Sequence, residues 1–106
     1  MIPPNTVPDA SSLSRAKVTV PHNVVYRSFP SETVMLNLNT GRYHGLNTTA
    51  GRMLQALEQA PSVRDAAALL ADGYGQPQAV VESDMCELCR QLAKRGLIEI
   101  DGGAPA

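Results

Sequence analysis

Aromatic side chains are scarce in this chain. Its 106 residues hold no tryptophan, one phenylalanine (Phe29) and three tyrosines (Tyr26, Tyr43 and Tyr74). The core therefore has to be aliphatic, built from Leu, Val, Met and Ala, and the 43% hydrophobic content is enough for one modest domain. Positive charge is not in surplus either. Nine Lys and Arg face ten Asp and Glu, for a net charge of -1. That balance argues against nucleic acid as the main partner, because neutralising phosphates takes a basic surface. No apolar run approaches the ~18 residues of a membrane span, so no membrane partner is expected. The N-terminus lacks the basic-then-apolar pattern of a secretory signal. Only two cysteines are present, and they are expected to be reduced thiols in the cytoplasm.

Catalytic constellations are also missing. There is no phosphate-cradling glycine loop, no H-E-x-x-H, and no pair of carboxylates in a recognisable setting. Carrier proteins attach their arm to a Ser preceded by Asp at a helix start, whereas Ser83 precedes Asp84 in mid-helix. Cys86-Glu87-Leu88-Cys89 forms a C-x-x-C, but inside a predicted helix rather than at its opening, where the helix dipole would lower a thiol pKa. Three residues apart, both thiols lie on one flank of an apolar stripe, and packing is the expected role. Zinc wants four ligands, and His22 and His44 offer no partnering spacing. No catalytic residue, metal or cofactor is expected.

What the chain does contain is a hairpin running into a helix, at residues 32–47. Val34, Leu36 and Leu38 alternate with Thr33, Met35 and Asn37, the period-2 signature of a half-buried strand. Asn39-Thr40-Gly41 supplies the turn, and Arg42 to Leu46 return as a second strand. Asn47 is suited to N-cap a helix starting at Thr48. The strand-interior Gly45 points to function, since such a glycine often marks close approach by another backbone. His44 has no Ser, Cys or acid at catalytic spacing, and a surface or groove position is the better reading.

Around the hairpin, residues 1–16 carry Pro3, Pro4, Pro8 and three serines, and read as a disordered arm. The fold is expected to begin near Lys17, with β-prone runs at Val18 to Val20 and Val24 to Phe29. Three helices follow. The first, about Thr48 to Gln59, has the stripe Ala50, Met53, Leu54 and Leu57. The second is capped by Ser62 with Asp65 in the capping-box position, and turns Val63, Ala66, Ala67, Leu69 and Leu70 inward. The third, about Gln78 to Arg95, has the stripe Val81, Met85, Leu88 and Leu92 and stops at Gly96. Arg90, Lys94 and Arg95 suit the negative end of its dipole. Leu97 to Ile100 is a short terminal strand, and 101–106 a flexible tail. The architecture is α+β and winged-helix-like: a hairpin or three-stranded sheet, three helices and a terminal strand.

That order, together with E-T-V-M-L-N-L-N-T-G-R-Y-H-G-L-N-T-T-A-G and the closing R-Q-L-A-K-R-G-L-I-E-I, resembles the PqqD-like family over roughly Val18 to Ile100. Members are leader-peptide recognition elements of ribosomally made, modified peptides. The resemblance implies a non-catalytic domain at 17–100 in which a precursor's leader adds as an antiparallel strand to the hairpin's last strand and settles into a groove beside the last helix. Carried onto this chain, the strand is Arg42, Tyr43, His44, Gly45 and Leu46. The helix face is drawn from Asp84, Met85, Leu88, Cys89 and Leu92. The chain looks most like the stand-alone versions of lasso-peptide clusters, which deliver the precursor to a leader protease and a cyclase. Versions serving a radical enzyme in quinone-cofactor synthesis are similar. Two rivals of other classes are a winged-helix DNA-binding protein, disfavoured by Glu82, Asp84 and Glu87 on the third helix, and a small scaffolding subunit that binds enzyme but no peptide.

Overall fold

A computed structural model describes residues 13–102. The strands are β1 (Ala16–Thr19), β2 (Val24–Ser28), β3 (Glu32–Asn37), β4 (Tyr43–Asn47) and β5 (Glu99–Gly102). The helices, between β4 and β5, are α1 (Thr48–Gln59), α2 (Val63–Tyr74) and α3 (Gln78–Lys94). β2, β3 and β4 form an antiparallel three-stranded sheet in that order, and β1 pairs antiparallel with β5. The arrangement is the expected α+β one. Among the described residues no helix is long and apolar enough to cross a membrane.

Local chemistry fixes the hairpin. The Asn37 side-chain oxygen accepts from the backbone of Asn39 at 2.9 Å and of Thr40 at 3.3 Å, an Asx turn. Gly41, at φ 74°, donates its N–H to the Asn37 carbonyl, while Asn37 donates to the carbonyl of Arg42. Two residues of the returning strand thus face one of β3, a bulge that requires glycine in the left-handed region. Asn47 caps α1 through its bond from Ala50 N–H at 2.8 Å, and Ser62 caps α2 through Asp65 N–H at 3.1 Å. The far end of α1 is closed by Lys17 of β1, whose ammonium donates to the carbonyls of Leu57, Glu58 and Ala60. A cation there satisfies orphan carbonyls and the negative end of the dipole together.

The buried row of β3 is Thr33 and Met35, facing α1. The more apolar row lies on the opposite side of the sheet, where Val34 and Leu36 are half-buried and Leu38 is exposed. Thr33 tolerates burial because its hydroxyl bonds Ser28 Oγ at 2.8 Å. In α2 the inward residues are Val63, Ala66, Ala67 and Ala71; Leu69 is 60% exposed, one step off the face that meets α1 and α3. Leu13 and Ala16 are fully buried and β1 starts at Ala16, so the core takes in residues assigned from sequence to the arm. Asp101 and Gly102 belong to β5, because β1 supplies their ladder partners Lys17 and Ala16. The rest of the arm, 1–12, and the tail residues 103–106 lie outside the described residues.

The sheet and α1 approach closely where Gly51 passes Thr33. A Cβ on Gly51 would stand 2.2 Å from Thr33 Oγ1 and 2.9 Å from its Cβ. Gly51→Ala should therefore lower stability by about 1–3 kcal/mol through overpacking, although alanine is the better helix former. Thermal or urea unfolding checks this; an unchanged or higher Tm would show that α1 can move off β3 freely.

Candidate functional site

Among the described residues β4 has one neighbour, β3, and its other edge is open. Which of its backbone groups face that edge follows from the ladder. Asn37 N–H bonds Arg42 C=O, and in an antiparallel pair the bonded positions recur every second residue. His44 and Leu46 therefore spend their N–H and C=O groups on Met35 and Thr33. The other ladder of β3 agrees: Phe29 bonds Glu32 and Leu38 bonds Asn23, so the odd-numbered positions of β3 are left for β4. Tyr43 and Gly45 point their N–H and C=O groups away from the sheet.

Side chains follow the same alternation. His44 and Leu46 share the inner face with Met35 and Thr33, His44 half-buried and Leu46 buried. Tyr43, 73% exposed, lies on the outer face beside Leu36, and Gly45 beside Val34. Gly45 has an ordinary φ, and its Cβ would meet only the flexible Glu32 carboxylate, at 3.4 Å. Nothing in the chain's own packing demands glycine there.

β4 packs on β3 and α1 and hardly meets α3, which leaves a groove beside the open edge. At the start of β4 a cleft of about 450 Å3 is lined by Arg42, Tyr43 and His44, and by Arg95 and Leu97 from beyond α3. At its end a shallower hollow of about 250 Å3 lies between Asn47 and Met53 on one side and Asp84, Glu87, Leu88 and Gln91 on the other. Asp84, Leu88 and Gln91 follow at spacings of four and three on one stripe of α3, and the C-cap residue Arg95 continues that line four positions on.

The structure thus brings Arg42, Tyr43, His44, Asp84 and Leu88 to one groove, with the backbone of Gly45 at its edge. It does not bring Met85, Cys89 and Leu92 to the surface: all three are fully buried and form the apolar backing of the α3 stripe. Reading α3 by hydrophobicity picks this buried side. The polar stripe one position round holds Glu87, Gln91 and Arg95, and the same helical spacing, started from Asp84, would have found the last two. Cys86 faces a separate hollow with Glu82 and Arg90, on the other flank. Both thiols are free; burial pushes Cys89 up to about 12 and raises Cys86 as well, which favours the protonated thiol over the reactive thiolate. Among the described residues no three metal-ligating side chains gather.

The profile described as Coenzyme PQQ synthesis protein D (PqqD) matches residues 32–98, which span the hairpin, the helices and the groove. The chain belongs to the PqqD family. Among solved structures it is similar to TbiB1 in complex with the TbiA(beta) leader peptide, at 29% identity and TM-score 0.68, over 76% of this chain and 93% of that one. It is similar also to lasso peptide synthetase B1 complexed with the leader peptide, at 25% identity and TM-score 0.70, over 79% and 99%. A PqqD truncation of Methylobacterium extorquens PqqCD, a stand-alone recognition element, shares the fold at 21% identity and TM-score 0.69, over 86% and 98%. No curated protein sequence matches the chain.

His44 reports on the groove. Burial lowers its pKa below 6.5, and the nearby Arg95 guanidinium lowers it further. The unfolded chain then binds more protons than the folded one between that lowered value and 6.5, so the stability linked to His44 is full above 6.5 and is lost as pH falls through the lower folded-state value. An NMR titration should place His44 below 6.5 in the folded protein, and Arg95→Gln should raise it. A value at or above 6.5 would mean that His44 is solvated and far from Arg95.

Proposed function

We propose that this chain is a non-catalytic leader-binding protein. It captures the leader of a ribosomally made precursor as an antiparallel strand on β4 and presents the precursor to its modifying enzymes, a leader protease and a cyclase in lasso-peptide synthesis. The observation that carries the reading is the open edge of β4 with Tyr43 and Gly45 unpaired beside an unfilled groove. Strand addition supplies main-chain bonds with little regard to sequence, and pockets for alternate side chains select the partner.

The magnitudes say how the work is shared. Each new edge hydrogen bond is worth about 0.5–1.5 kcal/mol net. Ordering each leader residue costs about 1–2 kcal/mol. Backbone pairing alone barely offsets that cost, so affinity rests on apolar anchors, each contributing about 1.5–3 kcal/mol when buried against Leu88, Met53 or Leu97. A few anchors place Kd on the order of micromolar to tens of nanomolar, which allows the precursor to be handed on.

Two solved relatives, at 29% and 25% identity, hold leader peptides, and one of them is a lasso peptide synthetase B1. The family description, which names coenzyme PQQ synthesis, favours a second reading in which the same edge serves an enzyme of quinone-cofactor synthesis, a radical enzyme by the resemblance. Recognition of DNA by α3 is disfavoured by Asp84 and Glu87, which would meet phosphates.

Calorimetry with a synthetic leader encoded beside this gene tests the proposal. Gly45→Pro should abolish binding while the fold survives, because the N–H it removes points to the open edge and not to β3. Tyr43→Ala should cost about 1–2 kcal/mol of binding. Full affinity in a folded Gly45→Pro protein would overturn strand addition on β4.

A further inference from the structure

The groove beside β4 carries opposite charges at its two ends. Arg42 and Arg95 flank the cleft where β4 begins, and Asp84 and Glu87 line the hollow where β4 ends. Among the described residues the ion pair found is Arg90 with Glu87, at 3.5 Å between exposed side chains of α3. Arg42, Arg95 and Asp84 have no ion-pair partner among those residues. Nor is Arg95 needed to close its helix. Gly96, at φ 70°, donates to Ala93 C=O and Leu97 N–H donates to Leu92 C=O, so backbone bonds satisfy the end of α3. The guanidinium is left to the groove, close enough to depress the basicity of His44.

We propose that this charge polarity sets the direction and register of the bound leader, selecting a segment with a basic residue at its N-terminal end and an acidic residue at its C-terminal end. The inference rests on the antiparallel strand addition argued above. A peptide antiparallel to β4 starts beside Asn47 and Asp84 and finishes beside Arg42 and Arg95. Asp84 and Arg95 are eleven positions apart on α3, about 16 Å at ~1.5 Å per residue. A strand covers that span in about five residues at ~3.3 Å each. A spacing of four puts both charges on the groove face, because strand side chains alternate, and their length makes up the difference. Main-chain bonds alone leave a strand free to slip in register. The two charged ends penalise a reversed or slipped strand by facing like with like.

The test uses the full chain and two acetylated, amidated nonapeptides of identical composition. One reads Thr-Val-Lys-Val-Thr-Leu-Glu-Val-Thr, and the other exchanges its Lys and Glu. Fluorescence anisotropy of labelled peptides gives the two affinities. The Lys-first peptide should bind about fivefold tighter, the effect of two exposed charge pairs turned from attraction to repulsion, and the preference should shrink at high salt. The triple variant Arg42→Glu, Arg95→Glu, Asp84→Lys should reverse the order, with circular dichroism confirming its fold. Equal binding of the two peptides, or an unreversed order in the folded variant, overturns the polarity and leaves strand addition standing. Binding of neither peptide overturns charge polarity as the selector, while strand addition is judged separately by the titration of the encoded leader against Gly45→Pro.

Discussion

Among the described residues β4 is satisfied on one side only, and the walls around it leave the other side open. Its even-numbered side is closed by β3 through His44 and Leu46, while the backbone of Tyr43 and Gly45 remains open. An unpaired edge is a liability unless it is short, charged or reserved for a partner. This one is five residues long, is preceded by Arg42 and contains a glycine that the fold itself does not need. Those features limit casual pairing and still admit an extended chain.

The groove beside that edge needs a rigid wall, and α3 provides it by dividing its circumference. One side, with Val81, Met85, Cys89 and Leu92, is locked into the aliphatic core against α2. The adjoining stripe, with Asp84, Leu88, Gln91 and Arg95, is held in place by that packing. Close-packed interiors do not deform gradually, so the stripe keeps its distance from β4. α1 fixes the other boundary. Gly51 seats it against Thr33, Asn47 ties its start to β4, and Lys17 ties its end to β1. The same strand β1 anchors β5, which follows directly from α3. The α1 wall is thus seated on the three-stranded sheet and tied to β1, and the α3 wall is held by α2 and by β5, which pairs with β1.

Much of this was legible in the residues. Punctuation was the clearest signal: Asn47, Ser62 and Gly96 bound the helices, and Asn39 to Gly41 make the turn, because each solves a local backbone problem that few other residues solve, whereas the Asn37 side chain that braces the turn read only as part of the strand. Which face of an element is buried was less legible. In β3 the row with more apolar character faces out, since burial there is set by the position of α1 rather than by hydropathy. Leu69 is exposed for a related reason: the small alanines of α2 make the close contacts with α1 and α3. Of the α3 residues carried over from the family resemblance, Asp84 and Leu88 line the groove while Met85, Cys89 and Leu92 back it, and Gln91 and Arg95 were not assigned to it because polar residues on a helix read first as solvated. Leu13 was invisible as a core residue, because nothing periodic surrounds it.

Amide hydrogen exchange on β4, measured residue by residue by NMR with and without the leader peptide, tests the central claim most directly. Strand addition predicts that Tyr43 and Gly45 gain strong protection on binding, while His44 and Leu46, already bonded to β3, change little. Protection that appears on α1 or α2 with Tyr43 and Gly45 unaffected would place the peptide elsewhere and contradict the account.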